Sequence, residues 1–352
     1  MTLHLLAFLD DITAFLRRGE QQRLAATCRI LRTAASDARW PAKTLDSYVQ
    51  EREPLEQLMR QLVQSPGSRR RRSRLRDDQV RSLVHDLTLV ALGIRPSCLV
   101  DVCALDDNTI THMLSAFDND TDAWRSFGFH RLRCISFAGN IFFAHAAVFT
   151  QLKALDVVSS LGFTTFIDAS RSLERPQPMP SHHSSIPRLR DTIQQLLQDL
   201  SATPKTEVIA INTRGISPTA LAGVVLCYPV VYHVAPTTDD DSRWSTDGNC
   251  LDMCPLHVVQ TAIRHRGRLR KADRLDSSGL SLVLQEFSAP QHLFAATGNS
   301  AAARSLKRVI STYRRTVERA LRRALARGNR REIMAWQPVV SMSTRVLPHV
   351  GL

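Results

Sequence analysis

Three segments alternate apolar residues in twos, and they constrain the fold more than anything else in the chain: Pro229-Val-Val-Tyr-His-Val234, Asn249 to Ile263 and Leu280 to Ser288. In the first, Val230, Tyr232 and Val234 fall on one side and Val231 and His233 on the other, the two-residue period of a β-strand. In the second, Leu256 and Val258 oppose His257, Val259 and Ile263, and Pro255 limits where the strand can pair. Both sides are partly apolar, so the sheet they form is expected to be covered on both faces. Their connections are long. Residues 235–248 are acidic (Asp239, Asp240, Asp241, Asp247) and residues 264–279 are basic. Connections of this length are either functional or disordered.

The other segments supply helices and shorter strands. Leu5, Leu6, Leu9, Ile12, Phe15 and Leu16 recur at helical spacing, as do apolar residues in 24–35 and 55–63, so residues 1–65 read as helical. Val80 to Leu92 is a helix ended by Gly93 and Pro96. Ser97 to Leu105 is a buried strand, and Asp106 or Asp107 caps the helix Thr109 to Phe117. Leu132–Ala138 and Ile141–Ala146 read as a hairpin turned at Gly139-Asn140. From 163 to 234 the order is strand, helix, strand, helix, strand. The Pro- and Ser-rich stretch 171–187 forms a loop, and Ser217-Pro218 opens the second helix. The expected fold is mixed α/β (α+β): a mixed sheet with helices on both faces, an N-terminal helical region and a C-terminal amphipathic helix at about 302–327. The expected divisions are helices in 1–65, an Arg-rich linker in 66–79, the α/β domain in 80–328 and a C-terminal tail in 329–352.

Composition limits the class of protein. No apolar run of about 18 residues is free of charge, which excludes an obvious transmembrane helix. Asp10 and Asp11 interrupt the apolar N-terminal stretch, against a signal peptide or a mitochondrial presequence. The seven cysteines are an odd number, several inside predicted strands, as in a reduced compartment. A cytoplasmic protein is expected, and the four consecutive arginines 69–72 also fit a nuclear-localisation signal.

The formal charge of +13 is unevenly spread. Half of the 46 Lys and Arg residues lie in 69–76, 264–274 and 304–331, and the remaining chain is net acidic. Such segments attract nucleic acid, anionic lipid or an acidic protein. Arg264, Arg266, Arg268 and Arg270 in the loop, with Arg315, Arg319 and Arg322 on the terminal helix, are the candidate contacts. With 41 Arg against 5 Lys, coding bias toward arginine is the competing explanation.

The dinucleotide-binding glycine pattern, the phosphate-binding loop, the G-x-S-x-G elbow and the H-E-x-x-H zinc motif are all absent from the sequence. Cys250, Cys254 and His257 have a C-x3-C-x2-H spacing but lack a nearby fourth ligand, so neither a metal nor a cofactor is expected. The case for an enzyme is positional. Ligands of open α/β sheets bind beyond strand C-terminal ends, and those ends carry Asp106, Asp168 with Ser170, and Asn212-Thr213-Arg214. Asp106, Asp168 and Arg214 are therefore the catalytic candidates, with two carboxylates for a metal and an arginine for a phosphate. Helix capping and turn chemistry use the same residue types.

The succession YPVVYHV, NCLDMCPLHVVQTAI, LVLQEFSAP and a closing amphipathic helix resembles an uncharacterised eukaryotic family, a domain of unknown function that includes a vertebrate open-reading-frame protein. The likeness is carried mainly by Asn249-Cys250-Leu251 and Pro255-Leu256, within about 225–325. It implies an intracellular α/β protein and carries over no catalytic residue. The leading expectation is a non-enzymatic interaction module with a protein partner. The alternatives are a metal- or phosphate-dependent enzyme acting at the strand ends and a nucleic-acid-binding protein.

Overall fold

The computed structural model describes residues 43–63, 75–119, 122–158, 164–180, 182–235, 249–265, 281–294, 301–325 and 336–346. The helices expected before residue 43, the arginines 69–72 and most of both long connections lie outside these residues. The elements in chain order are α1 (Leu45–Val63), α2 (Asp77–Ala91), β1 (Ser97–Leu99), α3 (Asp107–Asp118), α4 (Asp122–Phe127), β2 (Leu132–Phe137), β3 (Asn140–His145) and α5 (Ala146–Val158). There follow β4 (Thr165–Asp168), β5 (Gln177–Pro178), α6 (Ser185–Ala202), β6 (Val208–Ala210), α7 (Pro218–Val225) and β7 (Val230–His233). The chain then runs through β8 (Pro255–His265), β9 (Ser281–Pro290), α8 (Gln291–Phe294), α9 (Ala301–Leu325) and β10 (Trp336–Val346).

The fold is mixed α/β, as expected, but its strands divide among three sheets: β1-β3-β2-β6, β5-β4-β7 and β10-β8-β9. The first two are mixed and the third is antiparallel. The strand succession from 163 to 234 is therefore not one sheet. Its middle strand, β6, pairs in parallel with β2, while β4 pairs in parallel with β7.

Period-two alternation sends neighbouring residues of β2 and β3 into different cores. Cys134 and Phe143 join α2 and α3, through Leu87, Met113 and Phe117. Ile135, Phe137 and Phe142 join α5, α6 and α7, through Phe149, Leu196 and Val224. Helices thus cover both faces of the first sheet. The second sheet is divided in the same way: Phe166 and Val231 face α6 and α7, whereas Ile167 and Tyr232 face the core shared with β8, β9 and α9. Tyr232 and Ser288 hydroxyls meet at 3.1 Å across that boundary.

Some boundaries differ from the sequence reading. The hairpin turn is Ala138-Gly139, both at positive φ (49° and 76°), with Asn140 already paired to Phe137. The second long strand begins at Pro255, and Asn249 instead bridges Ser170. The loop after β4 contains β5 and ends where α6 begins at Ser185. Within the segment read as a tail, β10 runs antiparallel to β8 in continuous register from Trp336↔His265 to Val346↔Pro255. Its first residue also reaches the N-terminal helix: Trp336 Nε1 donates to Asp46 Oδ1 at 2.6 Å. That helix bends at Glu51, upstream of Pro54, whose ring displaces the preceding turn and removes a helical N–H.

Candidate functional site

The three residues singled out in the sequence sit in different local settings. Asp106 caps α3, its Oδ1 accepting from the Thr109 N–H at 2.7 Å. Arg214 is exposed in the turn after β6, where its own N–H donates to Asn212 Oδ1 at 3.0 Å. β1 ends at Leu99, so Asp106 stands at the start of a helix and not at a strand end, while Arg214 follows β6, the opposite edge of the sheet from β1. Asp168 belongs to another sheet altogether.

Asp168 does have chemical neighbours. It ends β4 in register with His233, which ends β7, so the two side chains leave the same face of adjacent strands. Asp168 Oδ1 accepts from the Ser170 N–H at 3.0 Å and from its hydroxyl. The Ser170 oxygen in turn accepts from the Ala235 N–H at 2.8 Å. His233 is 4% exposed. Its Nε2 lies 3.2 Å from Ser185 Oγ, in the first turn of α6. The His183 ring packs edge-on against it, with centroids 5.4 Å apart. Burial pulls the His233 imidazole below the ordinary histidine range, and His183 acts in the same direction while the Asp168 charge opposes both. Ser185 and His233 line a small cavity with Phe166, Met179, Ile186 and Ile216.

Sequence reasoning missed His183, Ser185 and His233. The first two sat in a stretch read as a solvated loop. His233 was within reach of the rule that picked out Asp168, because it occupies the C-terminal end of the parallel partner strand; it was read only as one face of a strand.

The cysteine spacing does not gather ligands. His257 Nδ1 is 3.2 Å from Thr344 Oγ1 on β10, and Cys254 Sγ lies 4.0 Å from His292 instead. Among the described residues, no group of three or more His, Cys, Asp and Glu is arranged to hold a metal.

The basic candidates separate by face. α9 buries Tyr313, Val317, Ala320 and Leu321, and leaves Arg315, Arg319 and Arg322 exposed. Spacings of three and four place these arginines on one stripe. Arg315 donates to the Ser311 carbonyl at 3.2 Å, and Arg314 pairs with Glu318 at 3.1 Å. Arg264 is exposed on β8. α9 covers the face carrying Gln285 and Phe287, the register partners of Thr261 and Val259, so alternation puts Arg264 on the opposite face. Arg266, Arg268 and Arg270 lie outside the described residues.

These features define a three-sheet α/β protein with a polar cluster at the ends of two parallel strands and an outward arginine stripe on its last long helix. The chain belongs to the family described as a domain of unknown function (DUF4504), whose model matches residues 66–310. No curated protein and no solved structure matches it. No described helix is long and apolar enough to cross a membrane.

Proposed function

We propose that this protein is an interaction module that presents the arginine stripe of α9 to an acidic protein partner. The observation that carries the reading is the division of one helix. Tyr313, Val317, Ala320 and Leu321 fix it to the body of the protein, and Arg315, Arg319 and Arg322 face outward. A docked helix holds its charges at fixed spacing, so an acidic surface meets a pre-organised row of guanidinium groups. A continuous nucleic-acid surface formed with the basic loop draws less support, because Arg264 leaves the opposite face of the sheet. The enzyme built from Asp106, Asp168 and Arg214 together draws less support, because a helix cap and a turn account for the placement of Asp106 and of Arg214. A eukaryotic cell, and a cytoplasmic or nuclear location, go with this reading.

The test is fluorescence anisotropy with a labelled acidic peptide and an RNA of equal charge, at low and high salt. The wild type should bind the peptide with a salt-sensitive affinity, and Arg315→Glu/Arg319→Glu/Arg322→Glu should weaken it at least about tenfold. Unchanged binding by the triple variant would overturn the assignment. Tighter binding of RNA than of peptide would move it to nucleic acid.

A further inference from the structure

We propose that Ser185 and His233 are a nucleophile–base pair that hydrolyses small apolar acyl esters, with Asp168 as the positioning residue. The activity is independent of the arginine stripe and goes beyond the binding role. It rests on geometry from three elements. Ser185 Oγ lies 3.2 Å from His233 Nε2, within the reach a base needs to take a hydroxyl proton. Asp168 occupies the same rung as His233 on the neighbouring parallel strand, where its charge favours the imidazolium that forms on proton transfer. The pair borders a cavity of about 10 Å3, room for about one water-sized sphere, that is partly open to solvent.

The cavity sets the substrate class. Phe166, Met179, Ile186, Leu189 and Ile216 make its walls mainly apolar. Its enclosed space holds no more than about one water-sized group, so the acyl group it suits is an acetyl, its methyl against the apolar walls. Ser217, the other serine lining it, is committed elsewhere: its oxygen accepts from the Ala220 and Val234 N–H groups at 3.4 and 3.3 Å. Ser185 is the one of the two placed against an imidazole.

The chemistry balances without a metal or redox partner. Ser185 Oγ adds to the ester carbonyl carbon while His233 Nε2 takes the hydroxyl proton. The bond to the alcohol oxygen breaks and the alcohol leaves with that proton, giving an acyl ester on Ser185. Water then loses a proton to Nε2 and adds to the acyl carbon. Ser185 Oγ leaves, recovers the proton and releases the carboxylic acid.

The test is labelling of the full chain with a fluorophosphonate, which phosphonylates an activated serine with loss of fluoride, alongside p-nitrophenyl acetate hydrolysis. Mass spectrometry should place the label on Ser185. Ser185→Ala should abolish labelling and ester turnover, and His233→Gln should slow both by about 100-fold or more. Exposed Ser341→Ala should change neither. Asp168→Asn should shift the labelling pH profile to lower pH, since it removes the negative charge that favours protonated His233, while His183 and the burial of the ring still disfavour it. A purely structural Asp168 would leave that midpoint in place. No labelling of the wild type, a label elsewhere, or full labelling in His233→Gln would overturn the proposal. If His233→Gln does not fold, the mapped site and Ser185→Ala decide.

Discussion

The Tyr313 hydroxyl on α9 donates to Gln285 Oε1 on β9, and Gln285 Nε2 donates onward to the Leu226 carbonyl that follows α7, at 2.8 Å. One buried amide therefore ties the terminal helix to the sheet and to the other core. The Tyr313 ring also meets Phe287 edge-on at 5.4 Å. Tyr313→Phe keeps the ring contact and leaves Gln285 Oε1 buried without its donor. It should cost about 1–2 kcal/mol, and Tyr313→Ala about 3–5 kcal/mol. Urea unfolding should show the loss as a lower midpoint at unchanged slope. A Phe variant as stable as wild type would mean that the amide is satisfied in another way.

Trp336 ties the same sheet to the first described helix. It is 3% exposed, packs edge-on against His265 at 5.0 Å and donates to Asp46. Trp336→Phe should cost about 1 kcal/mol for the lost hydrogen bond, and Trp336→Ala about 3–5 kcal/mol. A chain ending at residue 335 should do worse, because it uncovers the whole β8 edge and leaves its N–H and C=O groups open to another chain. Light scattering of that chain should show association that the 352-residue chain lacks.

What was legible in the sequence follows from where the information resides. Local signals were read correctly: Ser217-Pro218 at the start of α7, a cap at Asp106 or Asp107, which is Asp106, and the apolar stripe that docks α9. They depend on a few neighbouring residues. β10 was not legible because its segment, WQPVVSMSTRV, has weak alternation and contains Pro338. An edge strand tolerates a proline that a central strand would reject, and its partner β8 lies far away in the chain. The partition of parallel strands between two sheets is likewise a tertiary choice with no local signature. The polar cluster was half legible: Asp168 and Ser170 stand together in sequence, whereas His233 reaches them only through the β4–β7 pairing.

The β2–β3 turn offers a stabilising substitution. Ala138 sits at φ 49°, a left-handed position where a Cβ crowds the following carbonyl and where Asn is better tolerated. Ala138→Asn should therefore raise stability by about 0.5–1 kcal/mol. Gly139→Ala should lower it by about 1 kcal/mol. Nothing lies within 4 Å of a Cβ built at Gly139, so the cost there is backbone strain alone. Thermal unfolding should move the two variants in opposite directions. Parallel losses would mean that the Ala138 side chain is needed for packing.

His130 gives the protein an acid-side slope. Burial, with help from Arg131, Lys205 and Arg125, lowers its pKa to about 4 against the Asp118 charge. An unfolded histidine takes a proton near pH 6.5, so between about pH 6.5 and 4 the unfolded chain binds a proton that the folded chain refuses. Stability rises with pH wherever the unfolded state binds more protons. The His130 contribution is therefore intact above pH 6.5 and is lost as pH falls toward 4. His130→Gln removes the titration while keeping a polar group beside Arg131. Urea unfolding at a series of pH values should show the stability of this variant gaining on the wild type as pH drops through that window. A gap that stays constant from pH 7 to pH 4.5 would show that His130 titrates alike in the folded and unfolded chains.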